Sequence, residues 1–400
     1  MKYFKIIFIN AVVTILILLA FFFLTKEKPT TVQKKSNVLL QKQNEPKIKT
    51  VSADQKVQAQ QSIENSRRTI ITETVKKVSP AVVGITVKEV RQVAYRTPFG
   101  DDPFFRRFFG DQVFNKEFTG LGSGSIISPD GYILTNDHVA GSADEITVTL
   151  SNGKHYSAKR IGTDITTDIC LLKIDAKDLP YIPFGNSDDI LIGEWVIALG
   201  NPFGLFEISD KASVTVGVIS ATGMNLTPVD NRYYLEMIQT DASINQGNSG
   251  GPLVNSIGQL IGMNTLIFTA EGSNGNVGIG FAIPVNKLQK VIKELKKNGM
   301  FERNFWTGLR IHSIDEGIAK YYKLDDTKGV IITDIVKNSP ASKAGLQVGD
   351  IIREVDGSKI NNYETLKGVL QNYKTGETIS LTVLRNNEYI NIKMNLERRP

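Results

Sequence analysis

The chain has 400 residues, more than one hydrophobic core usually organises, and its 41% hydrophobic and 22% charged residues are ordinary for globular protein. The net charge is +6, but residues 26–77 hold 12 Lys and Arg against 5 Asp and Glu, which favours a solvated or membrane-facing linker and argues against a nucleic-acid partner. Cys170 is the only cysteine and there are three histidines, so an intrachain disulfide is excluded and we expect neither a metal site nor a cofactor.

An apolar segment follows the first few residues. Lys2 and Lys5 precede the run Ile6–Leu24, which contains only two polar residues. As a helix, this run would reach about 28 Å, the thickness of one hydrocarbon core. It is longer than a usual signal-peptide core, and no small-residue cleavage site follows it. We therefore predict a transmembrane anchor within residues 1–25, with a removed signal peptide as the alternative. The bulk of the chain is expected to face out of the cytoplasm.

Residues 26–69 are predicted to form a flexible basic linker. They are rich in Lys, Gln, Ser and Thr and contain no aromatic residue, so they cannot bury enough apolar area to offset the entropy of ordering. Helical spacing of apolar residues begins at Ile70, and Pro80 is expected to end that helix.

From about residue 82 to residue 283, the sequence alternates short β-type runs with turn residues. Asp130-Gly131 is one such turn, because both residues tolerate positive φ. The pattern predicts an all-β barrel or sandwich. A helix is expected at about 286–297, ending at the C-cap signal Asn298-Gly299. The remaining residues read as a second, mixed α/β unit.

A candidate nucleophile stands in the sequence Gly247-Asn248-Ser249-Gly250-Gly251. A serine between glycines on a tight turn exposes its hydroxyl, and the glycines let backbone N–H groups converge on one point. Such a point can stabilise a tetrahedral oxyanion. A polar glycine turn without catalytic function explains the same residues equally well when they are taken alone.

A serine nucleophile needs a base and an acid. His155 lies beside a hairpin turn and His312 belongs to the second unit, whereas His138 directly follows an apolar strand. Asp168 precedes another apolar strand, where a carboxylate can be desolvated beside an imidazole; Asp164 is the competing candidate. The predicted triad runs His138, Asp168, Ser249 along the chain, an order found in chymotrypsin-like enzymes.

Several longer motifs resemble the HtrA (Deg) serine proteases. They are Gly122-Ser123-Gly124-Ser125-Ile126-Ile127, Thr135-Asn136-Asp137-His138-Val139, Thr167-Asp168-Ile169, Gly200-Asn201-Pro202-Phe203-Gly204 and Gln239-Thr240-Asp241-Ala242 through Gly251. The resemblance implies a mostly β fold, with a chymotrypsin-like double β-barrel protease domain over residues 70–299. It also implies a homotrimer, and it favours Asp168 over Asp164 because the matching motif begins with that aspartate.

The same resemblance assigns two further features of the site. It places the oxyanion hole at backbone N–H groups of Gly247 and Ser249, with Asn248 between them. It also places the primary specificity pocket at Ile244 and Leu266, whose apolar side chains would suit a small aliphatic residue. Core packing is an equally ordinary explanation for those two side chains.

Residues 300–400 resemble a PDZ domain. The matching segments are Gly329-Val330-Ile331-Ile332 and Ser339-Pro340-Ala341 through Ile352. Such domains add an extended peptide to a sheet edge and hold its terminal carboxylate on backbone N–H groups. The peptide-binding loop corresponds to Trp306, Thr307, Gly308, Leu309 and Ile311, although Thr307 is more polar than that position usually is.

Taken together, the resemblance implies an ATP-independent serine endopeptidase of exported-protein quality control or envelope stress response. Its expected substrates are unfolded or regulatory proteins, and C-terminal peptides are expected to regulate it through the PDZ domain. The main rival is a binding module, in which the barrel is proteolytically silent and the PDZ domain carries the function. Cleavage of an unfolded protein distinguishes the two hypotheses.

Overall fold

The computed structural model describes residues 66–94, 113–201, 204, 206, 211–245, 247–269 and 276–399. The predicted anchor at residues 6–24 and nearly all of the predicted linker lie outside these described residues. Among the residues that are described, no helix is both long enough and apolar enough to span a membrane.

Helix α1 spans Ile70–Val78. The Thr69 side chain accepts a hydrogen bond from the Thr72 N–H, and the Thr72 side chain accepts one from the Thr69 N–H. This reciprocal capping satisfies two N–H groups that have no partner inside the helix. Pro80, in the 3-10 turn Ser79–Ala81, ends the helix as its sequence pattern predicts.

Six antiparallel strands close a first barrel in the order β1-β2-β3-β6-β5-β4. The strands are β1 (Val82–Ala94), β2 (Val113–Ile126), β3 (Tyr132–Thr135), β4 (Glu145–Leu150), β5 (His155–Asp164) and β6 (Ile169–Ile174). The long β1 pairs with both β2 and β4, which closes the sheet. Ile85, Ile133 and Leu171 are among the fully buried side chains of this barrel. A short helix, α2 (Asp137–Ala140), leaves the end of β3.

A second six-stranded barrel follows, with the order β10-β11-β12-β9-β8-β7. Its strands are β7 (Trp195–Gly200), β8 (Ser213–Met224), β9 (Met237–Thr240), β10 (Pro252–Asn255), β11 (Leu260–Thr269) and β12 (Asn276–Pro284). Pairing of β10 with β7 closes this barrel. The prediction of a double β-barrel is therefore confirmed.

Helix α3 (Val285–Asn298) follows the second barrel. Its buried face includes Leu288, Val291 and Leu295, which belong to the same hydrophobic core as the first barrel. Gly299 has φ 73° and its N–H donates to the Leu295 carbonyl at 2.9 Å, so the helix ends at the glycine that the sequence indicates.

The C-terminal domain is a mixed α/β unit with its own core. Its elements are β13 (Leu309–Ser313), α4 (Glu316–Tyr321), β14 (Val330–Ile335), α5 (Pro340–Lys343), β15 (Ile351–Val355), β16 (Ser358–Lys359), α6 (Tyr363–Leu370), β17 (Thr378–Arg385) and β18 (Glu388–Asn395). The main path of the sheet is β13-β14-β15-β17-β18, and β16 pairs with β15. Val330, Ile352 and Val383 lie in its core with Leu366 of α6.

One buried ion pair joins the two domains. Arg303, just before the C-terminal sheet, donates from both terminal nitrogens to the carboxylate oxygens of Asp164, each at 2.6 Å. The side chain of Arg303 is 12% exposed and that of Asp164 is 4% exposed. Asp164 also accepts a hydrogen bond from the Thr167 hydroxyl at 2.5 Å. Asp164, the alternative to Asp168 in the sequence analysis, is therefore bound to Arg303 at the domain junction.

We expect Asp164→Asn to lower the free energy of unfolding by about 3 kcal/mol, because it leaves the Arg303 guanidinium buried without its counter-charge. Thermal unfolding of the variant and of the unaltered chain measures the loss. Glu302→Gln is the matched control, since the Glu302–Arg398 pair is exposed and its removal should cost less than about 1 kcal/mol. Equal losses in both variants would contradict a special role for the buried pair.

Candidate active site

His138 is the second residue of helix α2, directly after strand β3. Its side chain is 35% exposed. It lines a cavity of about 360 Å³ together with Ser249, Gly247 and the apolar side chains of Leu121 and Val139. The structure thus brings the predicted base and the predicted nucleophile to one opening between the barrels.

Asp168 faces His138 from the turn that precedes β6. Its backbone has φ 60°, a left-handed conformation that turns the chain sharply before the strand, and its side chain is fully buried. The His138 backbone N–H donates to Oδ1 at 2.9 Å, and the ring Nδ1 lies 2.8 Å from Oδ2. Because a carboxylate only accepts, Nδ1 carries the proton and Nε2 is left to act as a base.

Three further donors surround the same carboxylate. The Thr265 hydroxyl donates to Oδ2 at 2.8 Å, the Asn136 amide at 3.1 Å and the Tyr234 hydroxyl at 3.2 Å. Burial alone would raise the pKa of Asp168, but the hydrogen bonds and charge of His138 and the Thr265 hydroxyl outweigh it and lower that pKa. The contribution of the ionised carboxylate to stability is therefore present at neutral pH and is lost as the pH falls through the folded-state pKa.

Ser249 lies at the same cavity, but its hydroxyl points elsewhere. Its Oγ donates to the Thr265 carbonyl at 3.0 Å. Among the described residues, no hydrogen bond joins Ser249 to His138. The turn is fixed by the Ser123 N–H, which donates to the Ser249 carbonyl at 3.0 Å. Gly250 has φ 84°, and a Cβ there would collide with the Ser123 carbonyl, so the position requires glycine.

The predicted oxyanion donors lie on this turn. Gly247 has φ 93°, and its carbonyl accepts a hydrogen bond from the Ser123 hydroxyl at 2.5 Å. Asn248 is buried, and its N–H donates to the Asn245 carbonyl at 3.0 Å. Within the described part of the chain, neither the Gly247 N–H nor the Ser249 N–H meets an acceptor. These two donors are chemically suited to bind an anion.

Ile244 and Leu266 are the two residues predicted to form the specificity pocket. Ile244 is fully buried in the core of the second barrel, where it packs with Ile219 and Leu253, and it does not line the cavity at Ser249. Leu266 lies on β11 opposite Phe281, and its side chain lies outside the described part of the structure. Their role in substrate selection stays a prediction.

Three hydrogen-bond donors to the Asp168 carboxylate were not predicted from the sequence. Asn136 offered a signal, since it is two residues before His138 at the end of a strand. Thr265 and Tyr234 offered none, because they approach Asp168 from the second barrel and from the segment between β8 and β9. Such contacts depend on packing between distant parts of the chain.

Trp306, Thr307 and Gly308 of the predicted peptide-binding loop precede β13, an edge strand of the C-terminal sheet, and Leu309 and Ile311 lie in that strand. The Thr307 carbonyl accepts from the Ala341 N–H at 3.0 Å, and the Gly308 carbonyl accepts from the Val336 N–H at 2.9 Å. Gly308 has φ 74°, and a Cβ there would collide with Ser339. The loop is therefore held rigidly beside an edge that can accept another strand.

Comparisons with known proteins agree with this geometry. A trypsin-like peptidase domain matches residues 122–263, and a PDZ domain matches residues 279–396. A probable periplasmic serine endoprotease, DegP-like, from Marinomonas sp. (strain MWYL1) is 41% identical over 345 residues, covering 82% of this chain and 71% of that relative. A DegP-like relative from Chlamydia muridarum (strain MoPn / Nigg) is 44% identical over 306 residues, covering 75% of this chain and 60% of that relative.

Solved structures of similar proteins include two of an HtrA-type protease. In the structure of AlgW with a decapeptide, the AlgW chain is 37% identical to this chain. The match has a TM-score of 0.61 and covers 83% of this chain and 99% of the AlgW chain. In the structure of AlgW with a tripeptide, the AlgW chain is 34% identical to this chain. That match has a TM-score of 0.61 and covers 83% of this chain and 98% of the AlgW chain.

Proposed function

This chain belongs to the HtrA family of trypsin-like serine proteases, and on that premise we propose that Ser249, His138 and Asp168 are its catalytic triad. The chain is a serine endopeptidase with one PDZ domain. The observation that carries the assignment of residues is the contact between the buried Asp168 carboxylate and the His138 ring, at the cavity that Ser249 also lines. The function is protein quality control in the envelope, in keeping with its DegP-like periplasmic relatives.

The proposed reaction follows from the positions of these groups. A substrate carbonyl enters the cavity, Ser249 Oγ leaves the Thr265 carbonyl and attacks, and His138 Nε2 takes its proton. Asp168 keeps Nδ1 protonated and stabilises the imidazolium that forms. The N–H groups of Gly247 and Ser249 bind the oxyanion, and a single such donor contributes about 3 kcal/mol to the transition state. The scissile C–N bond then breaks as His138 gives its proton to the leaving amine, which departs and leaves the acyl group on Ser249 Oγ. Water, deprotonated by His138, attacks this acyl-enzyme, and the proton returns to Ser249 Oγ as the acid product leaves.

Incubation of the chain with denatured casein tests the endopeptidase function. We expect fragments to accumulate without ATP, and a fluorophosphonate that reacts with activated serines to stop their formation. Mass spectrometry of the treated protein should locate the reagent on Ser249. Undiminished casein with no labelled serine would instead support the rival hypothesis, in which the barrel is silent and the protein only binds.

Peptide binding at the C-terminal domain is proposed as the regulator of this activity. The support comes from the rigid loop at Gly308 beside the edge strand β13, and from AlgW, whose structures contain a decapeptide and a tripeptide. A peptide that pairs with β13 would place its terminal carboxylate near the N–H groups of this loop.

Titration with peptides that end in apolar residues is expected to raise the rate of reporter cleavage severalfold. Gly308→Ala should abolish the increase, because alanine is strained at φ 74° and collides with Ser339. Gly345→Ala is the matched control, since Gly345 also has positive φ but no neighbour within 4 Å of an added Cβ. A high basal rate that no peptide changes would contradict regulation through this domain.

Membrane attachment and assembly complete the proposal. Residues 6–24 are proposed to anchor the chain in the inner membrane, with the catalytic and PDZ domains on the periplasmic side; the supporting feature is the length of the apolar run. We further propose that the protein forms a homotrimer, by resemblance to the family. Extraction of the full chain from membranes by detergent but not by alkaline carbonate would support the anchor.

A further inference from the structure

A single arginine lies between two buried acidic side chains beside the proposed base. Arg232 belongs to the segment that joins β8 to β9, and its side chain is 19% exposed. Its Nη2 donates to Oδ2 of Asp137 at 2.8 Å, and its Nε lies 3.4 Å from Oδ1 of Asp168. Nε is buried and forms no hydrogen bond among the described residues, so its interaction with Asp168 is electrostatic.

The two carboxylates flank His138 and require compensation. Asp137 is 5% exposed, Asp168 is fully buried, and Asp137 is the residue directly before His138 in helix α2. Two buried carboxylates in one site repel each other, and one of them tends to take up a proton unless a cation lies close by. Burial disfavours the charged guanidinium, but Asp137 and Asp168 outweigh it and raise the pKa of Arg232, which stays charged.

The position of Arg232 is fixed by its neighbours in the chain. The Tyr233 N–H donates to the Thr166 carbonyl at 2.8 Å, and the Tyr234 hydroxyl donates to Asp168. Asp137 is itself held by the Thr163 hydroxyl, which donates to its Oδ1 at 2.6 Å. The backbone beside Arg232 and the carboxylate that its guanidinium contacts are therefore both held in place.

We infer that Arg232 is a positioning residue for catalysis: it neutralises Asp137 and so keeps Asp168 ionised and directed at His138. The inference rests on the proposed triad and assigns Arg232 no contact with substrate. Asp137 holds the guanidinium by its hydrogen bond, and the guanidinium in turn fixes the electrostatic environment of the His138–Asp168 pair.

The inference predicts a change in pH dependence. The charged or titratable groups around the pair are Asp137 on α2, Cys170 on β6, Arg160 on β5 and Tyr234, with Glu89 of β1 across the cavity. Within the described ranges, Arg232 is the cation that contacts both carboxylates. Removing the positive charge of Arg232 makes it easier for the His138–Asp168 pair to take up a proton. The acidic limb of the rate profile therefore moves to higher pH.

Arg232→Gln is the central variant, since glutamine can still bond Asp137 but carries no charge. We expect kcat on a reporter peptide to fall by about 10- to 100-fold with KM changed by less than about twofold. The midpoint of the acidic limb should rise by about one pH unit. In Arg232→Lys the positive charge returns, so the midpoint of the acidic limb should move most of the way back to that of the unaltered enzyme. Its kcat should recover only in part, because lysine lacks the planar guanidinium group.

A double variant separates charge compensation from packing. Adding Asp137→Asn to Arg232→Gln removes the carboxylate that Arg232 neutralises, so the acidic limb should return toward that of the unaltered enzyme. Arg398→Gln, at an exposed ion pair of the C-terminal domain, is the control for loss of one positive charge and should change neither kcat nor the pH profile.

Two results would overturn the inference. One is an Arg232→Gln enzyme with unaltered kcat and an unaltered acidic limb. The other is an Arg232→Gln enzyme whose loss of activity is explained by a lower melting temperature alone. In that case the acidic limb would be unmoved, and Arg232→Lys would be no more active than Arg232→Gln. A Ser249→Ala enzyme that still cleaves the reporter would instead refute the proposed function, so the two failures are distinguishable.

Discussion

Replacement of Ser249 by alanine is expected to lower kcat for peptide cleavage by about a millionfold. The substitution removes the oxygen that forms the acyl-enzyme, so His138 and Asp168 have no nucleophile to activate. It should leave the fold intact, because the Ser249 hydroxyl makes only one hydrogen bond in the described structure, to the Thr265 carbonyl. Such a bond contributes about 1 kcal/mol. Single-turnover cleavage of a reporter peptide measures the loss.

A control serine shows whether the effect is specific to this hydroxyl. Ser256 lies in the turn after β10, and Ser256→Ala should retain full activity and a similar melting temperature. If Ser249→Ala cleaved the reporter at more than about a thousandth of the original rate, another residue would have to supply the nucleophile, and the assignment of Ser249 would be wrong.

The second large effect is expected for Asp168→Asn, which should lower kcat by about ten-thousandfold near neutral pH. The asparagine amide would donate to His138 Nδ1, which places the ring proton on Nε2 and leaves no lone pair to accept the proton of Ser249. The Thr265 and Tyr234 hydroxyls would also lose a charged acceptor. The full pH profile of kcat measures both consequences.

Asp164→Asn is the matched control, because it makes the same chemical change at the neighbouring candidate. It should reduce stability through Arg303 while leaving kcat within about threefold at a temperature where the protein is folded. The opposite result, with Asp164→Asn inactive and Asp168→Asn active, would exchange the two assignments.

The fold could be predicted well from local signals. Turn residues such as Asp130-Gly131 and Asn298-Gly299 marked the ends of elements, and the short β-type runs predicted a barrel or sandwich. The closure into two six-stranded barrels could not be derived from those runs, since β1 pairs with β4 and β10 with β7 across long separations. That part of the prediction came from the family resemblance.

The candidate site was predictable to the level of residue types at the ends of strands. Local pattern alone did not separate the two candidate acids, since Asp164 is bound by Arg303, which lies 139 positions away in the chain. No local pattern shows such a pairing. Ile244 illustrates a different difficulty, because an apolar side chain carries no directional signal that separates a pocket from a core. Arg232 lies in an irregular segment, where periodicity gives no information about the group it faces.

Thr265 contacts both ends of the proposed triad, and this shared attachment has a consequence for protection. Its carbonyl holds the Ser249 hydroxyl while its own hydroxyl holds Asp168. While this hydrogen bond is made, the Ser249 hydroxyl is not hydrogen-bonded to His138, so the nucleophile is not activated in the resting structure. The bond is weak, about 1 kcal/mol, and rotation of one side chain releases it within nanoseconds. A bond of that strength lowers the reactivity of the free enzyme by only about fivefold, and it does not limit turnover once a polypeptide is bound.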